Sequence, residues 1–302
     1  MTLQRLTVLL LLQTVFVWAQ SSTTSVDDDS LETGVQIGRG TVGMRLSVSL
    51  PTSLQLLRIT GGYSIPVVNA APRFSPALIT ELDFGNLTAH RLRRDTSVAA
   101  LDGSNITVGA LVPSAAVSDS SRVAVEGWRI GFRFASGHRL SNDGHSGFHL
   151  LHSGGWTWSF VRPGTLPSGG DSIANASAHG TADAYRSSHF GANTSATIGY
   201  TIGGIVAIEA SYQRVLLYKN HVFFPWLGSL MLEGLAQTIL KTALSHRMKQ
   251  NPRATAIATF VLQSALSWGI YQLRSTSGQH FPFAGNTPLS WNEFRMSIGI
   301  QF

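Results

Sequence analysis

Apolar and polar residues alternate with a period of two through much of the chain. Several segments place apolar side chains on one face and small, charged or glycine residues on the other: residues 44–50, 78–85, 106–112, 128–134 and 206–213. Successive side chains of a β-strand point to opposite faces, so each segment is predicted to be a strand. Gly203 and Gly204, just before the last of these segments, predict a tight hairpin turn.

The last residues of the chain carry the most regular alternation. Arg295, Ser297, Gly299 and Gln301 fall on one face of this predicted strand. A strand that lies between lipid and water needs one polar and one apolar face. The residues on its apolar face are Phe294, Met296, Ile298, Ile300 and Phe302.

This ending resembles the C-terminal strand of bacterial outer-membrane β-barrel proteins, which ends in an aromatic residue after apolar residues at alternate positions. The resemblance implies that the apolar positions 294, 296, 298, 300 and 302 form an assembly signal for the barrel-assembly machinery. It also implies that the last strand closes the barrel against the first, and that both termini face the periplasm. The implied location is the outer membrane, with its lipid and lipopolysaccharide as neighbours.

The N-terminal residues are typical of an export signal. Residues 1–19 combine Arg5, an apolar stretch and small residues at a cleavage position, and they predict a signal peptide. Residues 20–31 are polar and acidic and predict a solvated leader. The remaining residues, 32–302, are assigned to the barrel.

One stretch, residues 226–273, departs from the period of two. Glu233, Gln237 and Lys241 recur at a spacing of four, and Asn251-Pro252 is a favourable helix start. The 20 residues from 254 to 273 carry no charge and are long enough to span a membrane.

The interpretation of that stretch is an inserted helical hairpin, packed against the barrel or inside it. Alternatives are a helix pair that lies on one leaflet, a strand over residues 264–274, and an anchor in the inner membrane. A further strand at residues 279–284 would change the side of the membrane on which the hairpin lies. Residues 163–195, rich in Gly, Ser and Ala, predict a long loop.

These patterns together predict an all-β fold, an antiparallel transmembrane β-barrel of about 8–12 strands with a helical insertion. Composition agrees with that class, because charged residues are only 13% of the 302 residues and there is no cysteine. The absence of cysteine excludes thiol catalysis and thiolate metal sites. The net charge of +6 is scattered, which argues against a nucleic-acid partner and suits anionic lipid.

Candidate chemistry is sparse, and no metal site, cofactor motif or oligomeric state is predicted. Residues 137–142 resemble the His-x-Ser-Asn motif of outer-membrane lipid A deacylases, which implies His138 as the base and Ser141 as the nucleophile. These two residues are three positions apart rather than two, so a regular strand puts them on opposite faces.

A structural or narrow-pore role in the outer membrane is therefore the leading hypothesis. A deacylase-like hydrolase and an inner-membrane protein are the alternatives. Charged residues on the polar faces are expected to line the barrel interior, either as stabilising ion pairs or as a path for a small solute. These residues are Arg45, Glu81, Asp83, Arg129, Arg133 and Glu209.

Overall fold

The computed structural model describes residues 52–67, 74–91, 97–114, 124–141, 146–163, 188–219, 223–248, 250–277, 280–283 and 288–302. The predicted signal peptide, the leader, the strand at residues 44–50 and Arg45 lie outside the described residues.

The described chain forms eight antiparallel strands and two helices. In chain order they are β1 (Thr52–Val67), β2 (Ala77–Arg91), β3 (Val98–Pro113), β4 (Val125–Ser141), β5 (Gly147–Pro163), β6 (Ser188–Ile202), β7 (Val206–Leu217), α1 (Phe223–Met248), α2 (Pro252–Ser277) and β8 (Leu289–Gln301). Each strand pairs with its neighbours in sequence, and β8 pairs with β1 to close the barrel. The predicted fold class is confirmed, with the strand number at the lower limit of the prediction.

The end of the chain completes this closure. Pairing between β1 and β8 runs from Leu56 opposite Gln301 to Val67 opposite Ser290. Beyond the strand, the Phe302 N–H donates to the carbonyl of Gln55 at 3.0 Å, and the Gln55 N–H donates to the carbonyl of Phe302 at 2.7 Å. The last strand therefore leaves no open edge on this side, as the resemblance implies.

The strand register fixes the shape of the barrel. We followed the paired residues round the barrel, starting at Gly299 of β8 and passing through β1 to β7. They lead back to β8 at Leu289, ten residues from the start. For eight strands, that displacement corresponds to a strand tilt of roughly 40° from the barrel axis. A barrel of this size has an interior that side chains can fill.

The two rims of the barrel differ. We call the rim that carries Phe302 and the Gly203-Gly204 turn the turn end. The opposite rim, where β7 ends at Leu217 and β8 begins at Leu289, is the loop end. The described residues 280–283 contain only an isolated bridge, so the additional strand considered for residues 279–284 is not formed there. The predicted loop at 163–195 is wrong over its last part, because β6 begins at Ser188.

The Gly203-Gly204 turn has the predicted tight geometry. Both glycines have positive φ, at 58° and 76°, and the Ile205 N–H donates to the carbonyl of Ile202 at 3.1 Å. Positive φ at both central residues defines the two-residue turn whose twist matches that of antiparallel strands. The turn therefore sets the register of β6 against β7.

The two faces of the barrel wall have opposite polarity. The outward face of β8 leaves Ile298 61% exposed and Phe302 65% exposed, whereas Glu293, Arg295 and Ser297 on its inward face are buried. The other strands repeat this arrangement, with exposed outward residues that include Leu57, Ile59, Leu82, Phe84, Ile106, Val108, Trp128 and Ile208. The barrel thus has an apolar exterior and a polar interior.

The helical hairpin packs against the outside of the barrel wall. At the loop end, the Trp226 ring of α1 meets outward-facing Trp156 of β5 and Phe190 of β6, with ring centroids 6.4 and 5.2 Å apart. In α2, the Tyr271 hydroxyl donates to the carbonyl of Val215 at 3.0 Å. The hairpin therefore lies outside the barrel.

The start of α2 follows the sequence prediction. The Asn251 side chain caps the helix by accepting from the Ala254 N–H at 3.3 Å, and Pro252 occupies the first turn. Residues 264–274 are helical, so the strand alternative for this segment is wrong.

We predict that Gly203→Ala destabilises the barrel by about 1–2 kcal/mol, because an alanine at positive φ brings its Cβ too close to the backbone. Gly61→Ala is the matched control, since an added Cβ meets nothing within 4 Å at either position and only Gly203 has positive φ. Urea unfolding in detergent micelles measures both free energies. Equal stability of the two variants would contradict the role of the turn.

Candidate functional site

The barrel interior contains a continuous set of buried ion pairs. Alternation along the strands turns these side chains inward, where the tilt of the wall brings residues of different strands together. We call this set the lumen network: Arg58, Glu81, Asp83, Arg129, Arg133, Glu209, Glu293 and Arg295.

Arg129 spans the interior from β4 to β8. Its Nη1 and Nη2 donate to the two carboxylate oxygens of Glu293, both at 2.7 Å. Its Nε donates to Glu81 of β2. A guanidinium group that binds a carboxylate through two parallel hydrogen bonds is strongly fixed in orientation. In an eight-stranded barrel β4 and β8 are opposite each other, so this bridge crosses the lumen.

Glu81 is the centre of the lumen network. Its side chain is buried and accepts from Arg129 and Arg133, with the Arg133 Nη2 at 2.6 Å from Oε2. Arg295 of β8 also pairs with this carboxylate. Three arginines from two strands therefore converge on one glutamate, which offsets the cost of burying its charge.

A second branch joins β1, β5 and β7 nearer the turn end. The Arg58 Nε lies 3.1 Å from Glu209 Oε2, and the His149 Nε2 lies 3.1 Å from Glu209 Oε1. Ser297 donates to the same carboxylate at 3.2 Å. Asp83 links the two branches, since it lies 3.7 Å from Arg58 and 3.4 Å from Arg133.

The lumen network is balanced in charge. Four arginines face four carboxylates, so each charge of the network has an opposite charge within it. A fifth arginine, Arg139, also faces inward nearer the turn end and lies outside this network. The balance of charge within the network is the arrangement expected of a structural filling.

Little empty space remains inside. One cavity of about 30 Å³ borders Arg58, Arg133 and Arg295, and another of about 10 Å³ borders Arg139 and His149. A single water needs about 10–15 Å³ measured in the same way. The larger cavity therefore has room for about two waters and the smaller for at most one, and neither is large enough for a solute.

The sequence-predicted lumen residues fall together where they are described. Glu81, Asp83, Arg129, Arg133 and Glu209 all point inward and belong to the lumen network. Sequence reasoning did not select four residues that form the ion pairs around them, although the polar face of the last strand carries two of these. These are Arg58, His149, Glu293 and Arg295.

A second polar cluster lies on the outside of the wall, beneath the hairpin. Asp102 of β3, Ser136 of β4 and His152 of β5 are paired neighbours in the strand register and face outward. The Lys241 Nζ of α1 donates to the Ser136 hydroxyl at 3.2 Å, and Thr194 Oγ1 lies 3.4 Å from His152 Nε2. We call this group, with His138, the wall cluster.

The suggested catalytic pair is not brought together. His138 faces outward into the wall cluster, whereas Ser141 is buried and its hydroxyl donates to the carbonyl of Ser146 at 2.6 Å. The regular register of β4 against β5 contains no bulge between them. The resemblance to the lipid A deacylase motif therefore does not extend to its geometry.

Within the described ranges, no group of three or more His, Asp or Glu side chains is arranged to hold a metal ion. His149 pairs with Glu209 inside the barrel, whereas His152 faces the hairpin outside it. The two histidines therefore lie on opposite faces of β5.

We predict that Arg129→Met destabilises the barrel by about 3–5 kcal/mol, because it leaves the carboxylate of Glu293 buried without its partner. Arg162→Met is the matched control. Arg162 is 71% exposed and lies 3.7 Å from Glu126, so its loss is expected to cost less than about 1 kcal/mol. Urea unfolding in the same detergent compares the two, and similar losses would contradict the dependence of the barrel on the buried Arg129–Glu293 pair.

Comparison with known proteins assigns no family. No protein-family model and no curated protein matches the sequence. Among solved structures, the chain is similar to the crystal structure of Ail, the attachment invasion locus protein of Yersinia pestis, at 5% sequence identity and a TM-score of 0.28. The alignment covers 84% of this chain and 100% of that one. Similarity at this level says nothing about what this chain does.

Proposed function

We propose that the chain is an outer-membrane β-barrel with a closed interior and a structural role in the envelope. The observation that carries this proposal is the inverted polarity of the barrel, with apolar residues outside and paired charges inside. In water, an exterior of large exposed apolar side chains is unfavourable, whereas lipid favours it.

The apolar exterior has the length that a bilayer requires. On β8 it extends over nine residues, from Phe294 to Phe302. A tilted strand crosses the hydrocarbon layer with about 9–11 residues. Every backbone N–H and C=O in this layer must be paired within the protein, and the closed barrel provides that pairing.

The rims support an orientation with the turn end in the periplasm. In outer-membrane barrels the short turns are periplasmic and the longer connections are extracellular. Here the turn end has the two-glycine connection between β6 and β7, and the loop end has the connections of β5 to β6 and of β7 to β8. Lipopolysaccharide would then surround the loop end, and the barrel-assembly machinery would recognise the last strand.

A structural role is favoured over a narrow pore because Arg129 bridges the lumen to Glu293 and the neighbouring charges are paired. A solute would have to break several buried ion pairs to pass. A hydrolase that uses His138 and Ser141 has less support, since these side chains lie on opposite faces of the wall.

We predict that the purified protein gives no stepwise conductance in planar bilayers, because the lumen network leaves no continuous path. The same preparation must migrate as a heat-modifiable band, which shows that the barrel is folded. Stepwise conductance from folded protein would overturn the closed interior and favour the narrow-pore hypothesis.

We predict that Phe302→Ala lowers the amount of folded barrel in the outer membrane severalfold, because the terminal aromatic residue is part of the assembly signal. Phe84→Ala is the control, since Phe84 lies on the outward face of β2, outside the assembly signal, and is similarly exposed, at 54% against 65%. Membrane fractionation followed by heat-modifiable gel migration measures both variants and the wild type.

Equal loss in the two variants would indicate a general need for apolar surface and contradict a terminal signal. Recovery of the wild type in the inner membrane would overturn the proposed location and favour the inner-membrane alternative.

A further inference from the structure

We infer that the α1–α2 hairpin crosses the bilayer beside the barrel, with its tip at the turn end and with lipid hydrocarbon against its outer face. This inference rests on the proposed membrane location of the barrel and adds two membrane-spanning helices to it. An insertion before the last strand would ordinarily stay on the side where the chain left the membrane. The geometry of the hairpin points to the opposite side for its tip.

The polarity of α1 is the reverse of that in a water-soluble helix. Its polar residues at a spacing of four face the rest of the protein: Glu233 lies 2.7 Å from Arg274, Gln237 donates to Ser267 at 2.8 Å, and Lys241 contacts Ser136. Large apolar side chains occupy the exposed face, and Ile239 is 68% exposed. The others on that face include Phe224, Met231, Leu232 and Leu235.

Helix α2 repeats the same reversal. Four of its five buried polar residues recur at a spacing of four, and its exposed face is apolar with Ile257, Val261 and Leu262. Of the two described helices, α2 is the one that is able to cross a membrane by length and composition alone, and α1 would cross packed against it. The polar residues that it buries are Thr255, Thr259, Gln263, Ser267 and Arg274. A surface helix in water would instead bury its apolar stripe.

Contacts at both ends show that the hairpin extends from one rim to the other. At the turn end, the Arg253 Nε donates at 3.1 Å to the hydroxyl of Ser97, which directly precedes β3. Towards the loop end, Tyr271 binds Val215, close to the end of β7. Each helix has 26 residues and is about 39 Å long, which exceeds the roughly 30 Å of a hydrocarbon layer.

The charges of the hairpin are placed to suit this position. Arg247 and Arg253 are exposed at the tip, where lipid phosphates would lie at the turn end. Between Arg253 and Arg274, α2 has no charged residue. Arg274 is buried at the other end, where it donates to Glu233 and to Ser229 at 2.7 and 3.0 Å.

The barrel wall itself requires such a cover. The outward face of β4 changes from Trp128, Ile130 and Phe132 to Ser136 and His138 along the strand. These polar groups and the rest of the wall cluster would be costly against lipid. The hairpin covers them with its own polar face, so that hydrocarbon meets apolar side chains on the barrel and on both helices.

Single cysteines test this topology, because the chain has no cysteine of its own. Gln250→Cys marks the tip of the hairpin, Ile205→Cys marks the turn end and Lys219→Cys marks the loop end. Met296→Cys marks the apolar exterior of β8, and Ile239→Cys marks the outer face of α1. Each variant is expressed in cells, checked for heat-modifiable migration, and labelled with a membrane-impermeant maleimide before and after permeabilisation.

We expect Gln250→Cys to label like Ile205→Cys and unlike Lys219→Cys, whichever way the barrel is inserted. With the turn end in the periplasm, labelling of the first two rises severalfold on permeabilisation and that of Lys219→Cys does not change. Ile239→Cys and Met296→Cys are expected to stay unlabelled in both conditions and to react only after denaturation.

The possible failures are distinguishable. If Gln250→Cys labels together with Lys219→Cys, or if Ile239→Cys reacts while Met296→Cys stays protected, the hairpin does not cross the bilayer and the barrel proposal stands. If Met296→Cys reacts freely in the folded protein, the barrel exterior is in water, and both this inference and the proposed function are overturned.

Discussion

Backbone pairing between the first and last strands is the interaction on which the rest of the structure depends. Once β8 pairs with β1, no strand edge remains, and the wall has its full complement of hydrogen bonds along every strand. A closed wall of this kind satisfies its backbone N–H and C=O groups in hydrocarbon without help from side chains. The side chains are then free to be apolar outside and polar inside, which is the reverse of a soluble protein.

The barrel interior shows how its polar side chains are arranged. An eight-stranded barrel is too narrow for an open channel, so its polar side chains must neutralise each other. Glu81 accepts three arginines and Arg129 joins opposite strands, with every charge in the lumen network paired. Buried ion pairs add little net stability compared with apolar packing, but the loss of one partner is costly. The lumen network therefore adds little net stability, but the barrel depends on both partners of each ion pair being present.

The hairpin extends the same inversion of polarity beyond the barrel. Its polar stripes meet the wall cluster and each other, and its apolar faces are left outside. In water, a helix pair with this pattern would expose its apolar faces and bury its polar ones, which is unfavourable. The wall cluster and the hairpin are complementary, since each provides the polar partners that the other would lack in lipid.

Sequence alone determined β2, β3, β4, β7 and β8, the turn at Gly203-Gly204, the helix start at Asn251 and the outward face of the last strand, because these depend on local periodicity and on single-residue preferences. It did not identify β1 or β5. It also indicated the polar faces that carry Glu81, Arg129 and Glu209. It did not reveal the partners of these residues, since Arg129 and Glu293 are 164 positions apart and meet only through the barrel register. Nor did it decide whether the hairpin lies inside or outside the wall. A periodic pattern specifies which side of an element is polar, but the register and tilt of the closed sheet decide what that side faces.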